Sequence, residues 1–244
     1  MNNFNDINSF VNLYEHNHVN YCCCNIGGVE LAINLVKSCN FQKLPIVFFA
    51  LDKESLAKMK GLCDVVDASH LKYDTYSDFL NSYTPKFHWL SFSRYHIASP
   101  ILESGRTLSY LDIDVVVKNN FQADILNQLN QNKDHLLIQS NHHGKPCTGF
   151  FNLSPSFDQS IIKLFLDQAE PDMHDQDFLH RLIHPSSKEK VKFTLLNRDL
   201  YPNGAWYYNN SKRIESTCKI IHFNCAIGKN NKISKMKEYG YYKI

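Results

Sequence analysis

Asp112-Ile113-Asp114 follows the apolar run Thr107-Leu108-Ser109-Tyr110-Leu111 and precedes Val115-Val116-Val117. Carboxylates two apart in an extended segment point to the same face, so Ile113 is expected in the core while both acids face one site. Two oxygen donors fixed at a strand end suit Mn²⁺ or Mg²⁺. Such hard ions take one or two carboxylates along with waters and the phosphate oxygens of a bound nucleotide. The same pair also fits turn acids that cap an exposed strand, and the rest of the chain must decide between the two.

Four further segments hold side chains able to do chemistry. Asn25-Ile26-Gly27-Gly28 is a glycine turn between a strand pattern and a helix pattern, without the G-x-G-x-x-G spacing of a dinucleotide site. Asp175-Gln176-Asp177 reads as a helix start whose acids favour the dipole. His222, in Ile220-Ile221-His222-Phe223-Asn224, is either a satisfied core histidine or a ligand. Gly228-Lys229-Asn230-Asn231-Lys232 reads as a basic loop.

The elements that must position these residues alternate. Val19 to Cys24 reads as a strand, and Val29, Ala32, Ile33 and Val36 recur at helical spacing after the glycine turn. Leu44 to Ala50 is a second strand ending at Asp52, followed by a helix from Lys53 to Lys60 and a third strand from Cys63 to Val66. Phe87 to Glu103 is a long helix closed by Gly105, and Thr107 to Leu111 leads into the acids. Later strands are expected at Leu136 to Gln139, Phe150 to Leu153 and Lys219 to Phe223, with helices at Gln159 to Gln168 and Asp175 to Ile183. This alternation predicts an α/β fold with a mostly parallel sheet flanked by helices, whose ligands lie beyond the carboxyl ends of the strands.

Composition narrows the class further. The 244 residues are long enough for one large domain, and a net charge of +2 gives no electrostatic reason to expect nucleic acid or membrane as partner. The first twenty residues have no apolar core of a signal peptide, and no later run approaches the length of a membrane span, so a soluble cytoplasmic protein is expected. Eight cysteines, three of them adjacent at Cys22-Cys23-Cys24, form no C-x-x-C pair and predict buried reduced thiols.

The order of the motifs resembles the nucleotide-diphospho-sugar transferases, glycosyltransferases of the GT-A fold. Their pattern is a strand with D-x-D and apolar continuation, a glycine-aromatic strand, a D-Q helix start and a late H-x-N followed by G-x-x-x-K. Here these are Leu111-Asp112-Ile113-Asp114-Val115-Val116, Thr148-Gly149-Phe150-Phe151, Asp175-Gln176-Asp177, and His222-Phe223-Asn224 with Gly228 and Lys232. The resemblance runs from about Val19 to the C-terminus.

It implies one GT-A domain over 1–244, with a nucleotide-binding half at about 19–118 and an acceptor-side half at about 119–244. It implies a UDP-sugar donor, a glycan or glycoprotein acceptor and Mn²⁺ or Mg²⁺. By resemblance, Asp112 faces the ribose and the metal, Asp114 and His222 ligate the metal, and Lys232 with Gly228 meets the diphosphate. Asn25, Ile26, Gly27 and Asp52 hold the nucleoside, and Arg94 lies near the nucleotide. Gly149, Asp175 and Gln176 line the sugar and acceptor side, with Asp175 the general base if the anomeric centre inverts. The segment from Gly228 to Ile244, rich in lysine and tyrosine, is expected to close over the nucleotide. Cys225 departs from the pattern, since an aromatic residue often follows the H-x-N.

Two other readings compete. Leu111 to Val116 also fits the nucleophile motif of haloacid-dehalogenase-type phosphatases, but no apolar strand after Val117 ends in the acidic pair such enzymes need for Mg²⁺. A non-catalytic nucleotide-sugar-binding protein would not need its acids, His222 and Lys232 intact.

Overall fold

The computed structural model describes residues 1–71, 78–80, 84–141, 143–167 and 173–244. Its strands are β1 (Asn3–Phe4), β2 (His18–Cys24), β3 (Val47–Ala50), β4 (Asp64–Asp67), β5 (Thr107–Leu111), β6 (Val115–Val117), β7 (Leu136–Ser140), β8 (Pro146–Leu153), β9 (Phe193–Leu195) and β10 (Ile220–His222). Its helices are α1 (Ile7–Leu13), α2 (Val29–Phe41), α3 (Lys53–Met59), α4 (Pro85–Glu103), α5 (Gln122–Gln131), α6 (Gln159–Asp167), α7 (Asp175–Leu182), α8 (Gly204–Ile214) and α9 (Lys229–Glu238).

Eight strands form one sheet in the order β1-β4-β3-β2-β5-β8-β7-β9, and β6 pairs with β10 apart from it. The pairs from β1 to β5 are parallel, β8 runs antiparallel to both β5 and β7, and β9 is parallel to β7. Alternate side chains of each central strand enter opposite cores. On β2, Tyr21 and Cys23 join the core under α1, α4, α6 and α7, while Cys22 and Cys24 join the core under α2, α3 and α5. A third apolar cluster, with Leu31, Tyr207, Phe223 and Met236, ties α8, β10 and α9 to α2.

The chain leaves β2 towards β3 and β4, then returns through α4 to place β5 on the other side of β2. That reversal opens a crevice at the carboxyl ends of β2 and β5, where Asn25 and Asp112 follow their strands. No helix among the described residues is long and apolar enough to cross a membrane.

Several boundaries differ from expectation for local reasons. The strand expected from Leu44 starts at Val47, because Leu44 N–H closes the preceding turn on Cys39 O and Pro45 has no N–H to give a neighbour. The strand expected from Phe150 starts at Pro146. Gln168, the expected end of α6, lies outside the described residues. Helices α5, α8 and α9 had no counterpart in the sequence pattern, and the basic segment after Gly228 is helical instead of a loop. Gly228 adopts a positive φ of 82° to turn into α9, a conformation that costs glycine little. Seven cysteines are buried and free as expected, whereas Cys225 is exposed.

Candidate active site

Asp112 and Asp114 sit on a turn and not in an extended strand. Val115 N–H bonds Asp112 C=O at 3.0 Å, which reverses the chain from β5 into β6. Ile113 is therefore only partly buried and packs beside Gly28, where a Cβ would come within 2.6 Å of its Cδ1. The carboxylates still converge, because the turn swings Asp114 back towards β10, whose His222 pairs in register with Val115.

Three donors meet there. One ligand atom each from Asp112, Asp114 and His222 lies within 4.8 Å of the others. His222 Nε2 is 3.1 Å from Asp114 Oδ1 and 3.6 Å from Asp112 Oδ2, and it is buried without a well-aligned hydrogen-bond partner. Its Nδ1 lies 2.7 Å from Gln139 Oε1. Lys232 Nζ pairs with Asp114 Oδ2 and donates to Phe223 O at 3.3 Å. Burial alone would raise the Asp114 carboxyl, but the charges of Lys232 and His222 outweigh it and hold the group well below the usual carboxylate range. Burial would lower the His222 imidazolium, yet the negative charge of Asp114 pushes it up to about 10.

Arg94, on the inner face of α4, reaches both acidic segments. Its Nη2 is 3.2 Å from Asp112 Oδ1, its Nε is 3.6 Å from Asp175 Oδ2, and its Nη1 donates to Thr148 O at 2.9 Å. The guanidinium also lies over the Tyr110 ring, 4.5 Å from its centroid. Tyr110 OH donates to the same Asp112 Oδ1 at 2.6 Å, which leaves Oδ2 turned towards His222.

A cavity of about 430 Å³ opens over this floor, within the usual range for a small-ligand site. Asn25, Arg94, Asp112, Asp114, Gly149, Gln176, His222, Gly228 and Lys232 line it; Ile26, Gly27, Asp52 and Asp175 do not. Asp52 spends one oxygen capping α3 through Ser55 N–H at 2.6 Å and the other on Ile26 N–H at 2.7 Å, so it braces the Asn25 turn. Gly27 packs under the backbone of the 78–80 segment, where a Cβ would lie 2.2 Å from Asp78 C and O.

Asp175 is likewise enclosed. It is fully buried at the first turn of α7, where it accepts from Tyr95 OH at 3.1 Å and Thr148 Oγ1 at 3.4 Å and pairs with Arg94. The N-cap of α7 is His174, whose ring Nδ1 accepts from Gln176 N–H at 3.1 Å. Sealed in this way, the Asp175 carboxylate does not line the cavity, whereas Gln176 does.

Gly149 has a strict steric reason. A Cβ on it would lie 2.0 Å from His222 Cε1 and 2.7 Å from Asp112 Oδ2, so only glycine lets both side chains close over β8. The expected closing segment is already docked: Tyr241 O accepts from Asn34 Nδ2 at 3.1 Å, Lys243 N–H bonds Asn34 Oδ1 at 2.7 Å, and only its first residues reach the cavity. Tyr110, Tyr95 and Gln139 were given no role from the sequence, and Thr148 entered only as the first residue of the glycine-aromatic motif. Gln139 had left a sign there, as the one amide ending the apolar run Leu136-Leu137-Ile138.

Known proteins resemble the chain in sequence and in fold. The chain is 28% identical to the UDP-galactose:fucoside alpha-3-galactosyltransferase of Dictyostelium discoideum, over 91% of this chain and 42% of that protein. It thus spans less than half of that relative. Mouse xyloside xylosyltransferase 1 superposes with a TM-score of 0.54 at 14% identity, covering 88% of this chain and all of that one. The galactosyltransferase LgtC, solved with donor and acceptor sugar analogues, gives a TM-score of 0.51 at 11% identity over 84% of this chain and 86% of its own. These likenesses are of fold, and the fold is that of the GT-A glycosyltransferases. The family model described as nucleotide-diphospho-sugar transferase matches residues 44–236, most of the chain, and the protein belongs to that family of glycosyltransferases.

Proposed function

We propose that this glycosyltransferase is metal-dependent and moves a sugar from a UDP-sugar to a glycan or glycoprotein acceptor, with 1–244 acting as one domain in a cytoplasmic setting. The observation that carries the reading is the convergence of Asp112, Asp114 and His222, with a buried His222 Nε2 that lacks an aligned partner. Two carboxylates and an imidazole fit Mn²⁺ well and Mg²⁺ acceptably. Bound there, a divalent cation would stabilise the negative charge that develops on the leaving diphosphate.

The protein's own groups do the rest. Lys232, held by Asp114 and Phe223 O, presents its ammonium to the diphosphate side, and the first turn of α9 adds N–H groups without helical partners. Asn25 and Gly28 line the nucleoside end, and Gln176 with Arg94 and Gly149 the sugar end. The described cavity lining offers no carboxylate besides Asp112 and Asp114, which favours a retaining transfer, in which the leaving diphosphate can take the acceptor proton. The Dictyostelium relative makes UDP-galactose the first donor to try.

Titration calorimetry with UDP tests the reading. Binding should require Mn²⁺ or Mg²⁺ and vanish with chelator, and UDP at one hundred times its Kd should add about 2.7 kcal/mol of stability. Equal affinity with and without metal would overturn it.

A further inference from the structure

Gln139 ends β7 with its side chain fully buried, an unusual place for an amide unless every polar atom is used. Its Nε2 donates to Tyr201 O at 3.1 Å and to Pro202 O at 3.0 Å. Carbonyl oxygens can only accept, so the amide nitrogen must face them and Oε1 must face the other way. There it meets His222 Nδ1 at 2.7 Å. An amide oxygen also only accepts, so Nδ1 must carry the hydrogen. The second ring nitrogen, Nε2, is left facing Asp114 and Asp112.

The opposite tautomer would set a lone pair on Nδ1 against the lone pairs of Oε1 in a place closed to water, since His222 is only 1% exposed. Pro202 O tightens the arrangement, because it accepts from His222 N–H at 3.2 Å as well as from Gln139. One carbonyl thereby anchors both the backbone of His222 and the amide that orients its ring. Tyr201, whose carbonyl is the other anchor, is itself fully buried and stacked on Phe150 with centroids 5.5 Å apart.

We propose that Gln139 is a positioning residue that locks His222 with hydrogen on Nδ1, so that Nε2 is the atom offered to a divalent cation beside Asp112 and Asp114. It acts through His222 and touches no substrate. The inference rests on the metal-dependent reading above. A partner that fixes the tautomer of a ligating histidine is commonly worth 10–100-fold in metal affinity.

The test is a Mn²⁺ titration, followed by electron paramagnetic resonance of the free ion, on the whole chain with UDP present. Wild type is compared with Gln139→Met, which keeps length without an acceptor, and Gln139→Glu, whose buried protonated form keeps the acceptor for His222 Nδ1–H and an O–H donor for the carbonyls of Tyr201 and Pro202. Gln139→Met is expected to weaken Mn²⁺ binding by about 10–100-fold while Gln139→Glu stays much closer to wild type. A Gln139→Met affinity equal to wild type, or equal losses in both variants with equal falls in Tm, overturns the proposal.

A second readout does not depend on the variants folding. Long-range ¹⁵N NMR of wild type loaded with Zn²⁺ should show His222 protonated at Nδ1 and metal-bound at Nε2. Metal on Nδ1 overturns the positioning role. A wild type that binds no divalent ion at all overturns the metal reading itself, which separates the two failures.

Discussion

Arg94 and Asp175 form an ion pair beneath the cavity floor, Nε to Oδ2 3.6 Å, with side chains only 6% and 0% exposed. The same guanidinium reaches Asp112 at 3.2 Å, so the acid that opens α7 is coupled through Arg94 to the acid that faces His222. A buried pair contributes little against a well-packed apolar substitute, but loss of one partner leaves an uncompensated charge.

Asp175→Asn should therefore lower unfolding stability by about 3 kcal/mol, read by urea titration. Product stereochemistry decides its chemical role. A retained anomeric configuration, followed by NMR of the wild-type product, is expected from an enclosed Asp175. An inverted product, with a large rate loss in Asp175→Asn and intact UDP binding, would return that carboxylate to the role of base.

Gly149→Ala places a methyl group where His222 Cε1 now lies, 2.0 Å away. The ring must move out of the cluster, so Mn²⁺ affinity should fall by about tenfold or more, while overpacking costs about 1–3 kcal/mol of stability. Calorimetry with Mn²⁺ and a thermal melt read the two effects separately.

Lys232→Met removes the cation paired with Asp114. If Lys232 meets the diphosphate, UDP affinity should drop by about 10–100-fold, the range of a charge-assisted hydrogen bond, while uridine affinity stays unchanged. Equal losses for UDP and uridine would assign Lys232 to holding the site's shape.

Metal binding should depend on pH through His222. Its ring, pushed up to about 10 beside Asp114, carries a proton at neutral pH that a cation must displace. Mn²⁺ affinity should then rise by about tenfold per pH unit between pH 6 and pH 8, and His222→Gln should flatten the slope.

His18 sets a second pH response, in stability. Burial lowers it from 6.5 to about 4 against the opposing hydrogen bond that its ring donates to Asn20 Oδ1, within a ladder in which His18 Nδ1 meets Thr107 Oγ1 at 2.8 Å and Ser109 Oγ donates to Asn152 Oδ1 at 2.5 Å. The unfolded chain binds the proton first, so this contribution is complete above pH 6.5 and is lost as pH falls towards 4. The loss is about 3 kcal/mol, and urea titrations of wild type and His18→Gln at pH 7 and pH 4.5 should differ by it.

Much of the architecture up to β5 was legible from the chain alone. Period-two and period-3.6 patterns are local, so β2, α2, α3, α4 and β5 stood out, and with them a parallel sheet whose carboxyl ends carry Asn25 and Asp112. The order of D-x-D, Gly149-Phe150, Asp175-Gln176 and His222-Phe223-Asn224 was enough to suggest the family. The polar helices α5, α8 and α9 were not legible, because their apolar faces are narrow and are completed by partners far along the chain.

Which of the marked residues reach the cavity was decided only by tertiary structure. The family resemblance put Asp175 and Asp52 with the site. In the fold their oxygens are taken by Tyr95, eighty residues from Asp175, and by the Asn25 turn, twenty-six residues from Asp52. Gln139 became significant only because folding carries it to His222, eighty-three residues away, and turns its amide by two carbonyls of a third segment. Periodicity records which face a side chain takes on its own element. Hydrogen-bond saturation, which separates a brace from a working group, depends on contacts made across the chain and exists only once it has folded.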